Sequence, residues 1–75
     1  MQAMPSLRGL QVFRYAAREL SFKAAAEALN ISNAAVSTHI RGLEDFLGFK
    51  LFERLTREVK LTSEGSRLSG FVETG

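Results

Sequence analysis

The sequence contains no cysteine, so neither a disulfide framework nor a thiolate metal site is available to it, and that usage fits an intracellular chain. Its single histidine, His39, has no cysteine to accompany it. No spaced nucleophile and base, phosphate-cradling loop or cluster with metal-ligand spacing is present, which argues against an enzyme and against a bound cofactor or metal. Glu44 and Asp45 are adjacent and diverge on a helix, so they do not make a general acid and base pair. No run approaches the roughly 18 apolar residues of a membrane span, and the start lacks the charged and apolar regions of a signal peptide. A soluble, cytoplasmic protein with no membrane partner is expected.

What is present is an ordinary globular composition, 45% hydrophobic and 24% charged over 75 residues. That length makes one domain at the small end of what folds alone, because so short a chain buries only about 60% of its unfolded surface. The net charge is only +2, but the pI is near 9.5 and the cations are unevenly placed. Lys50, Arg54, Arg57 and Lys60 lie close together, with Glu53 and Glu58 as partial counter-charges. Such a cluster is equally a solvated surface or a footprint for nucleic acid.

The segment from Ala24 to Leu47 decides between these. It reads as two helices joined by a tight turn at Asn30-Ile31-Ser32, the layout of a DNA-reading helix-turn-helix. Leu29 ends the first apolar run, Asn30 tolerates left-handed backbone angles at a helix C-terminus, and Ser32 is a strong N-cap. Ile31 and Val36 have the spacing of a hydrophobic staple. Ala24, Ala25, Ala26 and Ala28 remove bulk, so the next helix can cross closely.

Upstream, Leu7, Leu10, Phe13, Ala17 and Leu20 make one apolar stripe at helical spacing, with Ser6 as its cap. Val12 and Ala16 lie off that stripe and predict a second apolar edge left free for another subunit. Ser21 caps the short second helix, and Phe22 is placed to enter the core. In the third helix, Asn33 to about Leu47, the residues Val36, Ile40, Leu43 and Leu47 share the inward face. Ala34, Ser37, Thr38 and Arg41 gather on the opposite side over roughly 10 Å. That small, polar, basic face suits a major groove, where hydroxyls and a guanidinium reach base edges and phosphates. His39 falls at the boundary of the inward face, a packing or phosphate-contacting position.

Gly48 is a helix stop. Phe49-Lys50-Leu51-Phe52 and Val59-Lys60-Leu61 then predict a small hairpin whose tip, Glu53 to Glu58, carries two arginines on an arm beside the third helix. Thr62 caps a fourth helix from Ser63, with Leu68, Phe71 and Val72 as apolar positions. Gly65, Gly70 and Gly75 weaken it by about 1 kcal/mol each relative to alanine, so it needs tertiary or subunit contacts.

Several ordered blocks carry a more specific signal. Phe13-Arg14-Tyr15-Ala16-Ala17-Arg18-Glu19-Leu20-Ser21-Phe22, Ala25-Ala26, Ser32-Asn33-Ala34-Ala35-Val36-Ser37, Leu43-Glu44, Leu51-Phe52-Glu53-Arg54 and Leu61-Thr62-Ser63-Glu64-Gly65 stand at matching spacing through most of the chain. This pattern resembles the N-terminal domain of LysR-type transcriptional regulators. The resemblance implies a mainly α winged helix-turn-helix: a three-helix core, a small β-hairpin wing, and the start of a C-terminal linker helix that pairs two subunits. It divides the chain into a DNA-binding domain, residues 1–61, and the start of the linker, residues 62–75.

The resemblance also implies sequence-specific binding of double-stranded DNA by a homodimer. Its base-reading positions fall on Asn33, Ala34, Ser37 and Thr38, and its wing arginine on Arg57. With the cap, the basic end of the outward face and the rest of the wing, the candidate DNA-binding residues are Ser32, Asn33, Ala34, Ser37, Thr38, Arg41, Arg54, Thr56 and Arg57. The family often has glutamine at the position of Asn33, proline or serine at Ala34, and arginine at Thr38. A shorter amide and a lost arginine change reach and charge, so base preference does not carry over. Family members continue into a C-terminal domain that binds a small-molecule co-inducer, and these residues contain none of it. The rival reading is a winged-helix module that binds protein. Against it, the outward face lacks the aromatic and large apolar anchors of such an interface.

Overall fold

The structure is a computed structural model that describes residues 7–55 and 58–74, with side chains as far as Val72. Three helices come first: α1 (Leu7–Glu19), α2 (Phe22–Leu29) and α3 (Asn33–Leu47). A two-stranded antiparallel hairpin follows, β1 (Phe52–Arg54) and β2 (Val59–Leu61), and then α4 (Ser63–Thr74). This is the winged helix-turn-helix expected from the sequence.

Each helix boundary has a local cause. The Ser21 hydroxyl accepts the Ala24 N–H at 3.0 Å and the Ser32 hydroxyl accepts the Ala35 N–H at 3.0 Å, satisfying donors that have no partner within the helix. Asn30 is left-handed, with φ 59° and ψ 47°, and ends α2 with its N–H turned back onto the carbonyls of Ala26 and Glu27. Gly48, at φ 87°, ends α3 in the same way, donating to the Glu44 carbonyl. Thr62 caps α4 through the Gly65 N–H at 2.9 Å, and its own hydroxyl donates to the Lys50 carbonyl at 2.7 Å. The cap expected of Ser6 lies outside the described residues.

The core holds Val12, Phe13, Ala16 and Ala17 of α1, Ala25 and Ala26 of α2, Val36, Ile40 and Leu43 of α3, and Leu51 and Phe52 leading into the wing. Phe52 is its aromatic hinge: its ring lies 5.7 Å from that of Phe13 and meets Phe22 edge-on at 5.3 Å. Phe22 does reach the core, half-buried at its margin.

Two expectations for α1 are corrected. Val12 and Ala16 are fully buried and form no free edge for a second subunit. The reason is that α1 packs against α2, α3 and α4 at once, so a wider apolar arc than one stripe is covered within the domain. Conversely Leu7 is 77% exposed and Leu20, left-handed at φ 51° beyond the end of α1, is 47% exposed. Both were expected in the stripe.

The hairpin is shorter than the apolar pattern indicated. Phe49, Lys50 and Leu51 are not in a strand, because Leu51 turns its carbonyl to Thr62 and its N–H to a side chain of α3. Arg54 sits within β1, paired with Val59, rather than at the tip of the arm.

Candidate nucleic-acid interface

The tight turn and the Ser32 cap fix where α3 starts. Buried Val36, Ile40 and Leu43 then fix how it is rotated. Those constraints leave Ser32, Asn33, Ala34, Thr38 and Arg41 exposed and Ser37 half-buried, so the sequence-predicted set shares one side of the helix. Leu47, the last of the inward-facing positions, and His39, at the boundary of that face, are half-buried. The exposed strip carries an amide, hydroxyls and one guanidinium with little apolar bulk, the donor and acceptor chemistry that major-groove base edges match.

The wing adds charge beside this strip. Arg54 is exposed, and its guanidinium lies 4.8 Å from the centre of the Phe22 ring, a cation–π contact that limits its freedom. Thr56 and Arg57 lie outside the described residues. Beyond the paired residues of the hairpin, the Leu55 N–H donates to the Glu58 carbonyl at 2.8 Å.

One residue that sequence reasoning set aside organises the junction between helix and wing. Glu44 is only 7% exposed, and its Oε2 accepts the N–H groups of Leu51 at 2.8 Å and Phe52 at 3.3 Å. Its Oε1 lies 3.9 Å from the Lys50 Nζ. A buried carboxylate needs such donors to offset its lost hydration. The available signal was its position between Leu43 and Leu47, close to the buried side of α3.

On the other side of the same junction residue, Gly65 of α4 is buried directly against the Leu51 carbonyl, where a methyl group would collide with it. No helix among the described residues is long and apolar enough to cross a membrane.

The comparisons with known proteins agree with this geometry. A family model described as bacterial regulatory helix-turn-helix protein, lysR family, matches residues 7–66. A glycine cleavage system transcriptional activator of Escherichia coli strain K12 is 56% identical over 62 residues, covering 83% of this chain and 20% of that protein. Among solved structures, a complex of the BenM DNA-binding domain with catB site 1 DNA superposes with a TM-score of 0.86 at 38% identity, covering 92% of this chain and 78% of that one. A complex of the CbnR DNA-binding domain with DNA gives a TM-score of 0.86 at 29% identity, covering 92% and 79% of the two chains. The chain spans about a fifth of the length of the curated relatives it matches.

Proposed function

Because the chain belongs to the lysR family of bacterial regulatory helix-turn-helix proteins, we infer that it is the DNA-reading part of a transcriptional regulator. It places the start of α3 in the major groove of double-stranded DNA. The observation that carries this reading is the exposed strip Asn33, Ala34, Thr38 and Arg41, with Ser37 beside it, on a capped helix whose opposite face is the domain core. The DNA complexes formed by its structural neighbours support it.

In this reading Asn33, Ala34, Ser37 and Thr38 face base edges, while Ser32 and Arg41 approach phosphates. Arg54, Thr56 and Arg57 of the wing contact the flanking backbone or minor groove. Residues 1–61 form the reading unit and residues 62–75 begin the linker helix. Through that helix two copies pair on an inverted repeat; Leu68 packs on the core while Phe71 stays 70% exposed. The protein works in the cytoplasm and performs no catalysis of its own. A small-molecule co-inducer would act through sequence beyond these residues.

The test is selection of bound sequences from a random duplex pool, followed by titration of the selected duplex and a scrambled one at two salt concentrations. A dyad-symmetric winner bound at least about 10³-fold tighter than the scramble is expected. Absence of binding at low salt would overturn the DNA reading in favour of a protein-binding module.

A further inference from the structure

The side of α3 that leads away from Asn33 opens into a cleft of about 360 Å³ against β1, lined by Arg41, Glu44, Lys50, Phe52 and Arg54. Its three cations come from three different segments: α3, the loop after it, and the first wing strand. Nothing in helical periodicity or strand alternation brings them together, and like charges converging on one cleft repel unless an anion lies among them. The single carboxylate there offsets only part of that charge: its Oε2 is committed to the Leu51 and Phe52 N–H groups and its Oε1 lies 3.9 Å from the Lys50 Nζ, which leaves two guanidinium groups against no anion in the cleft.

Resting on the DNA-binding reading above, we propose that this cleft is a seat for one backbone phosphate of the duplex, gripped by Arg41, Lys50 and Arg54 above a floor set by Glu44. Two of the three cations already have a partner within the protein. The Lys50 Nζ lies 3.9 Å from the Glu44 carboxylate, and the Arg54 guanidinium lies over the Phe22 ring. Restraint of long cationic side chains before the ligand arrives lowers the ordering cost of binding. A phosphate, with several acceptor oxygens, suits two guanidinium forks and an ammonium group.

The occupant is a phosphate of DNA because of where the cleft lies. Arg41 stands on the same side of α3 as Ala34 and Thr38, so the seat continues the exposed strip, roughly 10 Å along the helix from Ala34. A duplex whose major groove receives the start of α3 runs its backbone past the far end of that strip. The seat therefore fixes the register in which the groove-facing residues meet the bases, and carries no base preference itself.

Salt dependence of binding to a random-sequence duplex tests the proposal, using the wild-type chain, Lys50→Gln, Arg41→Gln, the double variant, and Arg67→Gln as an equal charge loss on α4. If one phosphate is shared, either single variant lowers the slope of log K against log salt by up to about 0.9, and the double variant lowers it by no more than about 0.9 in total. Arg67→Gln leaves the slope unchanged, and Lys50→Arg restores it. Seat variants that behave like Arg67→Gln, or losses that sum to two separate phosphates, would overturn the seat while DNA binding stands. A wild-type chain that fails to bind any duplex at low salt would overturn the DNA reading and the seat with it.

Discussion

The Glu44 side chain of α3 accepts the Leu51 backbone N–H at 2.8 Å, and this bond fastens α3 to the segment that starts the wing. Phe52, the next residue, donates to the same oxygen and also fills the core between Phe13 and Phe22. The angle between helix and wing is therefore fixed by a polar clamp and an aromatic wedge acting at consecutive residues.

Glu44→Ala should destabilise the domain by roughly 2 to 4 kcal/mol, because two buried N–H groups lose their acceptor. Glu44→Gln keeps one carbonyl oxygen in place and should cost about half as much. Urea denaturation followed by far-UV circular dichroism checks the order. Equal midpoints for wild type and Glu44→Ala would show that the clamp contributes nothing.

The turn between α2 and α3 should respond to backbone chemistry more than to contacts. Ser32→Ala removes the acceptor for the Ala35 N–H and should cost about 1 kcal/mol. At Asn30, φ 59° is accessible to glycine without strain, so Asn30→Gly should change stability little, whereas Asn30→Val should cost about 1 to 2 kcal/mol. Denaturation midpoints of the three variants separate a capping effect from a left-handed one.

Both effects were legible in the sequence, since caps and left-handed positions are local and are written in single residue types such as Ser32 and Asn30. The inward face of α3 was legible for the same reason: Val36, Ile40 and Leu43 repeat at helical spacing. The environment of α1 was not. Periodicity records which residues are apolar but not how many neighbours a helix has, so Val12 and Ala16 looked like an open edge although α4 returns from across the hairpin to pack on α1. The roles of Glu44 and of the cation cleft were hidden because they depend on the loop at Lys50 and Leu51 folding back against α3.

Gly65 reads in the sequence as a weak point of α4, yet here it is a requirement of packing. Its Cα faces the Leu51 carbonyl, whose oxygen also accepts the Thr62 N–H at 3.0 Å. Gly65→Ala gains helix propensity of about 1 kcal/mol but forces backbone apart, an overpacking cost of about 1 to 3 kcal/mol or more. Net destabilisation is expected. Gly70→Ala, where the added carbon meets nothing within 4 Å, should stabilise by up to about 1 kcal/mol. Thermal unfolding of the two single variants should therefore move in opposite directions.

Pairing through α4 predicts a concentration-dependent mass in sedimentation equilibrium. Phe71, 70% exposed, is the large apolar residue that α4 leaves to solvent, so Phe71→Ser should shift the equilibrium toward monomer while barely moving the unfolding midpoint extrapolated to low protein concentration. A mass that stays monomeric at every concentration would remove dimerisation from this stretch of chain.

The division of labour between strip and wing separates variants by what they change. Asn33→Ala and Ser37→Ala should alter which bases are preferred, by about 1 to 3 kcal/mol at the contacted positions, and leave the salt slope nearly intact. Arg57→Ala should instead weaken binding across most sequences and flatten the slope by about 0.9 for one lost phosphate contact. Thr38→Arg restores a cation where the strip carries a hydroxyl, so it should raise affinity at low salt and shift preference toward guanine at a single position. Parallel selections with the four variants read all of these at once. If strip and wing variants lose affinity equally on every duplex, with preference unchanged, then α3 does not read bases and the exposed strip serves only as a phosphate surface.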